Sequence, residues 1–223
     1  MKFREPHFNW IANAPNDLIL PKATAANYLR DPRSLLFKLS RYKVIGKLFA
    51  EYKNVLEIGC GDGFASPIVR QEVSKLTICD IDDEFIRLAR EFLDEKFDIQ
   101  VFHSQEIFSR SDLTFDGIYC MDVMEHIGVE EEENFLLQVT KQLHSNGTFI
   151  AGIPSIESQA FTTEENKKGH INCKETYDFK RLFEKYFSTV MVLGMNDENM
   201  HLGFVHLRSY NIFICAQKIK FDN

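Results

Sequence analysis

The residues best placed to do chemistry stand in one short turn, Glu57-Ile58-Gly59-Cys60-Gly61-Asp62-Gly63. A β-prone apolar run precedes the glycines and an apolar helical pattern follows them, which predicts a strand, a tight turn and a helix start. Glycine permits positive φ and lets a ligand approach the backbone, while the helix beyond it offers free N–H groups to a negative group. The pattern therefore predicts a cradle for a cofactor.

The spacing of these glycines excludes two common cofactor classes. A dinucleotide fingerprint, G-x-G-x-x-G, would need a third glycine where Phe64 stands. A P-loop needs Gly-Lys-Ser/Thr, and no lysine lies between Asn54 and Ser74. The remaining pattern, acid-x-Gly-x-Gly-x-Gly, resembles motif I of the class I S-adenosylmethionine-dependent methyltransferases.

Two later segments strengthen this resemblance. The strand-like run Leu76-Thr77-Ile78-Cys79 ends at Asp80, about 20 residues beyond the glycines, where an acid can bind the ribose hydroxyls of a nucleotide. The segment from Tyr119 to Ile127 is similar to the family's segment at the end of its fourth strand. The resemblance covers roughly residues 38–219, and it implies S-adenosylmethionine as cofactor and S-adenosylhomocysteine as product.

The resemblance also implies which residues contact the cofactor. It places Gly59 and Gly61 against the methionine and ribose, Asp80 on the ribose and Ile81 against adenine. Glu57 is expected near the amino group through the turn, Met121 beside the methionine chain, and Gln105 where the family often has an acid for the adenine amino group. The full predicted set is Glu57, Gly59, Cys60, Gly61, Asp62, Gly63, Asp80, Ile81, Gln105 and Met121.

Histidines are the candidate catalytic residues, because a hydroxyl acceptor needs a base and histidine titrates in the useful range. His170 ranks first, since Gly169-His170-Ile171-Asn172 is similar to a string in ubiquinone-type and related small-molecule O-methyltransferases. His201 ranks second and His126 third. No metal site is expected, because His201 and His206 have no cysteine or carboxylate pattern to complete a coordination shell.

The expected acceptor is a small hydroxylated metabolite. The overall pattern resembles bacterial methyltransferases encoded among surface-polysaccharide genes, which suggests a sugar or nucleotide sugar. An amine acceptor is the alternative, with Glu125, Asp197 and Tyr177 around the nitrogen. A non-catalytic module that keeps the fold is a further alternative, and it would fail either to bind the cofactor or to turn over.

The composition limits the class of binding partner and the cellular compartment that are expected for this protein. The 223 residues carry a formal charge of −7 and no Lys/Arg-rich run, which disfavours a nucleic-acid partner. The five cysteines are odd in number and form no C-x-x-C pair, as expected of reduced thiols in a cytosol. The chain shows no signal-type start and no membrane-length apolar stretch, so it is expected to be cytoplasmic, with no membrane partner.

The elements that would position these residues are predicted as follows. From residue 55 strands and helices alternate, which favours one doubly wound, Rossmann-like α/β domain over residues 1–223. The resemblance implies a mostly parallel seven-stranded sheet with an antiparallel last strand. Two helices, interrupted at Asp31-Pro32, form an N-terminal cap within residues 1–50; residues 51–223 form the core. Residues 1–22 are either a lid or a cover for the sheet edge. Helices are also expected over 128–144 and 175–187.

Overall fold

Strand and helix alternate from residue 55 onward in the computed structural model, which describes residues 19–93, 96–202 and 209–219. The described strands form one sheet in the order β3-β2-β1-β4-β5-β8-β6-β7. They are β1 Val55–Ile58, β2 Leu76–Asp80, β3 Ile99–His103, β4 Phe115–Met121, β5 Leu143–Pro154, β6 Phe187–Met195, β7 His201–Leu202 and β8 Tyr210–Lys218.

Strands β1 to β5 are parallel, and β8 pairs antiparallel with both β5 and β6. The mostly parallel, doubly wound sheet is therefore as predicted, but the described sheet has eight strands rather than seven. The additional strand, β7, is a two-residue pairing at the edge, where His201 lies beside Gly194. Because the strand order reverses between β1 and β4, their carboxyl ends form the crevice in which such sheets bind ligands.

Eight helices occur within the described residues. They are α1 Lys22–Arg30, α2 Pro32–Leu48, α3 Ser66–Arg70, α4 Asp83–Leu93, α5 Ser104–Phe108, α6 Glu132–Gln142, α7 Glu164–Gly169 and α8 Thr176–Glu184. Two 3₁₀ turns, Met124–His126 and Glu157–Phe161, lie near the carboxyl edge of the sheet. Among the described helices, none combines the length and apolar character that crossing a bilayer requires.

The sheet has an apolar core on each face, because successive strand residues point to opposite sides. On β4, Ile118 and Cys120 pack with Leu136 of α6 and Phe183 of α8. On the other face, Tyr119 packs with residues of α2, α3 and α4 that include Tyr42, Ile45, Val69 and Ala89. All five cysteines are unpaired, and four of them are buried, as the sequence predicted.

The N-terminal helices begin and end where the sequence predicted. Asp31 ends α1 and caps α2, since its side chain accepts a hydrogen bond from the Arg33 N–H at 3.1 Å while Pro32 occupies the first helical position. Residues 1–18 lie outside the described part of the chain, so the choice between a lid and an edge cover for residues 1–22 stays a prediction.

The helix expected over 128–144 is shorter, and the following strand begins earlier. Helix α6 starts at Glu132 and stops at Gln142, and β5 begins at Leu143 rather than after Asn146-Gly147. Leu143 is buried and pairs with Phe115, so burial of its side chain in the sheet overrides the local helical pattern. The helix expected over 175–187 likewise ends early, at Glu184, because Phe187 is buried as the first residue of β6.

Candidate cofactor cradle and acceptor pocket

The glycine turn has the backbone shape that the sequence predicted. Gly59, Gly61 and Gly63 all have positive φ, at 76°, 56° and 72°. A Cβ on Gly59 would lie 2.3 Å from Val123 Cγ2, whereas a Cβ on Gly61 would have no atom of the described residues within 4 Å. Gly59 is thus required by protein packing, and Gly61 faces open space beside the turn. A cofactor that approaches the backbone at Gly61 fits this arrangement.

Asp80 braces the same turn from the neighbouring strand. Its Oδ2 accepts the Gly61 N–H at 2.8 Å, and its Oδ1 accepts the N–H groups of Ile81 and Asp82 at 2.8 and 3.1 Å. A carboxylate oxygen accepts two hydrogen bonds, so Oδ2 retains one position for a ligand hydroxyl. The predicted ribose contact is compatible with this geometry, and Asp80 also holds the cradle in shape.

The predicted adenine contacts lie at the edge beyond Asp80. Ile81 is 78% exposed, which is unusual for its residue type, and its carbonyl oxygen lies 3.1 Å from the His103 ring. His103 caps helix α5, with its Nδ1 accepting the Gln105 N–H. Gln105 itself is exposed on the first turn of that helix. Both predicted residues therefore lie on the same accessible edge.

Three residues of the predicted cofactor set have side chains that are engaged in contacts within the protein. The Glu57 carboxylate is fully buried and accepts the hydroxyl protons of Tyr42 at 2.6 Å and Tyr119 at 2.7 Å. Burial raises the pKa of Glu57, and the hydrogen bonds partly offset that rise. Cys60 is buried in the apolar core. Glu57 thus joins helix α2 to strand β4 rather than pointing at the open space.

Asp62, the third of these residues, ties the N-terminal cap to the glycine turn. Its two carboxylate oxygens accept hydrogen bonds from the Thr24 N–H at 2.7 Å and the Thr24 hydroxyl at 3.0 Å. Thr24 lies in the first turn of α1, where backbone N–H groups lack partners within the helix. A carboxylate at that position is also favoured by the helix dipole. Asp62 therefore fixes α1 over the turn.

A pocket of about 600 Å³ opens between this cap and the carboxyl edge of the sheet. Helices α1 and α2 supply one wall, with Arg41 and Lys38 among its residues. The opposite wall contains Asp122 and Glu125, which follow β4, and His170, which follows α7. Met121 is buried directly before Asp122, and its Sδ and Cε occupy the space that a Cβ on Gly152 would take.

Asp122 and Arg41 form an ion pair across this pocket that the sequence did not reveal. Arg41 Nη1 lies 2.8 and 3.0 Å from the two Asp122 carboxylate oxygens, and its guanidinium carbon lies 3.6 Å from the centre of the Tyr210 ring. Asp122 has a φ of 57°, which is strained for a non-glycine residue. Such strain at a strand end is typical of functional sites. The left-handed backbone conformation of Asp122 cannot be predicted from the neighbouring residues in the sequence.

Glu125, His126 and His170 come together beside that ion pair. His126 lies in the 3₁₀ turn after β4, and its Nδ1 is 2.9 Å from the Gly169 carbonyl oxygen. The two histidine rings are 5.1 Å apart between centroids. Burial lowers the pKa of His170, and His126 lowers it further. His170 is thus predominantly neutral at pH 7 and can accept a proton.

The string Gly169-His170-Ile171-Asn172 is positioned by backbone contacts to the 3₁₀ turn. A Cβ on Gly169 would lie 3.3 Å from the His126 ring, so glycine allows close packing there. The Asn172 N–H donates to the Glu125 carbonyl oxygen at 3.0 Å, and its side chain donates to Glu132 at 2.9 Å. These contacts hold His170 in the pocket wall.

The structure separates the remaining histidine candidates from this cluster. His201 is exposed on the edge strand β7 and is not part of the pocket wall. His206 lies outside the described residues. Of the three histidines ranked as catalytic, the structure therefore brings His170 and His126 together and leaves His201 at the sheet edge.

Comparisons with known proteins agree with this fold. A family model described as a methyltransferase domain matches residues 56–151. The ubiquinone biosynthesis O-methyltransferase of Schizosaccharomyces pombe, a mitochondrial protein, is 29% identical over 102 residues, which are 44% of this chain and 36% of that protein. The Sodalis glossinidius enzyme of that name is 31% identical over 85 residues, or 37% and 33%. The chain thus aligns with about a third of each relative's length.

Solved structures extend the comparison to most of the chain. A SAM-dependent methyltransferase from Archaeoglobus fulgidus has a TM-score of 0.68 at 16% identity, covering 87% of this chain and 99% of that one. A Thermotoga maritima protein described as a possible histamine N-methyltransferase has a TM-score of 0.66 at 17% identity, covering 95% and 98%. The plantazolicin methyltransferase BpumL, solved with S-adenosylhomocysteine, has a TM-score of 0.67 at 13% identity, covering 88% and 90%.

These matches confirm the predicted fold and its cofactor class, while the resemblance to surface-polysaccharide enzymes has no counterpart among them. The glycine turn, Asp80 and the segment after β4 all fall within the matched residues 56–151. Residues 56–151 therefore match a methyltransferase domain, and the described residues have the fold of solved S-adenosylmethionine-dependent methyltransferases.

Proposed function

We propose that the protein transfers the methyl group of S-adenosylmethionine to a hydroxyl group of a small molecule. The observation that carries this proposal is the pocket of about 600 Å³ that has His170 in its wall. One of its lining residues, Thr24, is hydrogen-bonded to Asp62 of the glycine turn. Small-molecule sites typically have volumes of about 300–1,000 Å³. The pocket is thus large enough for the acceptor and the methionine end of the cofactor.

The bound cofactor would supply a methyl group already activated by the sulfonium. The glycine turn and Asp80 would hold it, with Gly61 giving the closest backbone approach and Asp80 Oδ2 accepting one ribose hydroxyl. The chain's own task is then to place an acceptor atom in line with that methyl group and to exclude water. Helices α1 and α2 provide this cover, and Asp62 fixes α1 over the turn.

His170 is the proposed base for a hydroxyl acceptor. It lies in the pocket wall, and its Nδ1 is 2.8 Å from the Gln159 side-chain oxygen, which fixes the orientation of the ring. The second ring nitrogen can then receive the acceptor proton. Two relatives of low identity are named O-methyltransferases, which supports a hydroxyl acceptor.

Charge in the pocket favours an acceptor that carries an anionic group. Four cationic side chains line it, and two of them, Arg30 and Lys38, form no ion pair with any described residue. A phosphate or carboxylate on the acceptor would complement them. This feature is consistent with the sugar nucleotide suggested by the sequence, and equally with other acidic hydroxylated metabolites.

The alternative of an amine acceptor draws on Glu125 and Asp122, whose carboxylates face the same pocket. Of the other residues named for it, Asp197 and Tyr177 are absent from the pocket wall as described. A resemblance in fold to a protein described as a possible histamine N-methyltransferase does not separate the two acceptors, since one fold hosts many functions.

The test is calorimetric titration with S-adenosylmethionine and S-adenosylhomocysteine, followed by a screen for methyl transfer. Micromolar binding of the cofactor and turnover on hydroxylated anions are expected. Lys38→Gln should raise the KM of an anionic acceptor several-fold and leave a neutral acceptor unchanged. Lys141→Gln, an exposed substitution on α6, is the matched control. Failure of cofactor binding, or turnover on amines alone, would refute the proposal.

A further inference from the structure

Three potential ligand atoms converge beside the acceptor pocket. One atom from each of Glu125, His126 and His170 lies within 4.8 Å of the other two. Three ligand atoms that share an ion at about 2.1 Å are about 3.4–3.6 Å apart, so side-chain shifts of at most about 0.8 Å would bring all three to one ion. Glu125 and His170 also line the pocket, so the cluster is open to an acceptor.

Hydrogen bonds fix the protonation pattern of both histidine rings. His126 Nδ1 faces the carbonyl oxygen of Gly169 and therefore carries the proton. His170 Nδ1 faces the Gln159 side-chain oxygen; the Gln159 NH₂ group donates to Ser155 and Ser158, which orients the amide. In each neutral ring the lone pair is then on Nε2, the nitrogen available to a ligand. Metal-binding histidines commonly donate their other N–H in this way.

The Glu125 carboxylate provides a second, independent indication that a ligand binds at this cluster. The residue is fully buried, yet neither carboxylate oxygen has a hydrogen-bond partner among the described residues. An unpaired buried carboxylate is costly, and proteins normally pair such groups or use them to coordinate metals. A cation between the carboxylate and the two imidazoles would satisfy all three groups at once.

We propose that Glu125, His126 and His170 bind one divalent first-row transition-metal cation at the floor of the acceptor pocket. Two imidazoles with one carboxylate suit ions such as Zn²⁺, Fe²⁺ and Mn²⁺, whereas Mg²⁺ and Ca²⁺ prefer all-oxygen sites. No metal site was expected from the sequence, because His170 lies 44 positions after His126 and no local ligand pattern joins them. Asp122 adds a further negative charge close to the ion.

The site stands on this geometry alone, but its role rests on the proposed function. Three protein ligands leave coordination positions open, as in catalytic metal sites. An acceptor hydroxyl bound there would be held in the pocket and would lose its proton to solvent more readily. The ion would then replace His170 as the group that activates the hydroxyl, since the His170 Nε2 lone pair would be bound to the ion. The methyl carbon then exchanges its bond to the sulfonium sulfur for a bond to that oxygen, and the electron pair of the broken bond remains on sulfur as a neutral thioether.

The first test measures ion binding without any acceptor. The purified chain, free of any affinity tag and treated with a chelator, is titrated with Co²⁺ while visible absorption is followed, and with Zn²⁺ and Mn²⁺ by calorimetry. One ion per chain at micromolar or tighter affinity is expected, with Co²⁺ bands typical of nitrogen and oxygen ligands. Mg²⁺ should bind at least tenfold more weakly than Mn²⁺.

Matched variants locate the ion. Glu125→Gln keeps the shape of the side chain and removes its charge, and His170→Asn removes one imidazole; each should weaken ion binding at least about 100-fold. His144→Asn changes an exposed histidine away from the acceptor pocket and should bind the ion as the wild type does. S-adenosylhomocysteine binding reports whether each variant has kept its fold.

The outcomes separate this proposal from the proposed function. No saturable ion binding by the wild type, or equal binding by Glu125→Gln and the wild type, would overturn the metal site. Retained cofactor binding and turnover in that case would leave the methyltransferase assignment intact. Ion binding that is lost in both variants supports the site even if no acceptor in the screen is methylated.

Discussion

The two halves of the candidate site differ in how their buried polar atoms are satisfied. In the cofactor half, Asp80 accepts three backbone N–H groups and Asp62 is fully engaged with Thr24. In the acceptor half, both Glu125 oxygens lack a hydrogen-bond partner, as does Arg41 Nε. The first half is a rigid, preformed cradle, whereas the second keeps polar groups whose partners the described residues do not provide.

This difference follows from what each half has to do. A cofactor shared by many enzymes can be held by backbone geometry, which short strands and glycines reproduce reliably. An acceptor needs side chains that exchange protons or bind a further group, and such groups must remain available. Buried polar groups without partners are therefore expected at the acceptor, where a ligand completes them.

The largest expected effect is at His170. His170→Ala should lower the turnover number by about 100-fold, whether the ring acts as a base or as a metal ligand, because either role touches the acceptor. The affinity for S-adenosylhomocysteine should stay within a factor of about 3, since the cradle is separate. Steady-state kinetics and calorimetry measure both, with His144→Ala as control. An unchanged turnover would remove His170 from the site.

Asp80→Ala tests the cofactor half. The variant loses the acceptor for a ribose hydroxyl and also the hydrogen bond that braces Gly61, so the affinity for S-adenosylhomocysteine should fall by at least about tenfold. Asp80→Asn keeps one oxygen and should fall less. The protein should remain folded by circular dichroism. Unaltered affinity in Asp80→Ala would refute the ribose assignment.

A pair of glycine substitutions sharpens the comparison within the cradle. Gly59→Ala places a methyl group 2.3 Å from Val123 and should lower the free energy of unfolding by about 1–3 kcal/mol more than Gly61→Ala does. Both positions have positive φ, so both variants carry a similar backbone strain of about 1 kcal/mol.

Cofactor affinity gives the second measurement on this pair. Gly61→Ala should weaken S-adenosylhomocysteine binding about tenfold despite its smaller loss of stability, because its methyl group would occupy the open space beside the turn. Urea unfolding and calorimetry supply the two quantities. Gly61→Ala with wild-type affinity would show that the cofactor does not approach the backbone there.

The smallest expected effect is a pH dependence at Glu57. Burial raises the pKa of Glu57 in the folded protein, so the fold binds this proton more tightly than the unfolded chain does. The free energy of unfolding should therefore fall as pH rises from about 4.5 through the folded pKa, by about 1.4 kcal/mol for each unit of elevation.

Glu57→Gln removes this titrating group and leaves the others unchanged. Its free energy of unfolding relative to the wild type should therefore increase between pH 4.5 and 7, as measured by urea unfolding at several pH values. A difference that is constant over this range would show that the Glu57 carboxyl has an ordinary pKa in the fold.

The sequence by itself determined the backbone of the cofactor half, which consists of a strand, a glycine turn and the end of the next strand. Gly59, Gly61 and Asp80 are recognisable because strand, turn and strand end are local features, and parallel pairing of β1 with β2 then brings them together. The break between the two N-terminal helices at Asp31-Pro32 was equally predictable from the sequence, since a capping aspartate and a proline act through neighbouring residues.

Only the tertiary structure decided which side chains meet in the acceptor half. Arg41 meets Asp122 across 81 positions, and His126 meets Gly169 across 43. The strained φ of Asp122, the occupation of Asp62 by Thr24 and the distance of His201 from the pocket are likewise set by packing between distant elements. Local patterns specify backbone turns, whereas the convergence of side chains depends on how the cap and the loop before α8 fold over the sheet edge.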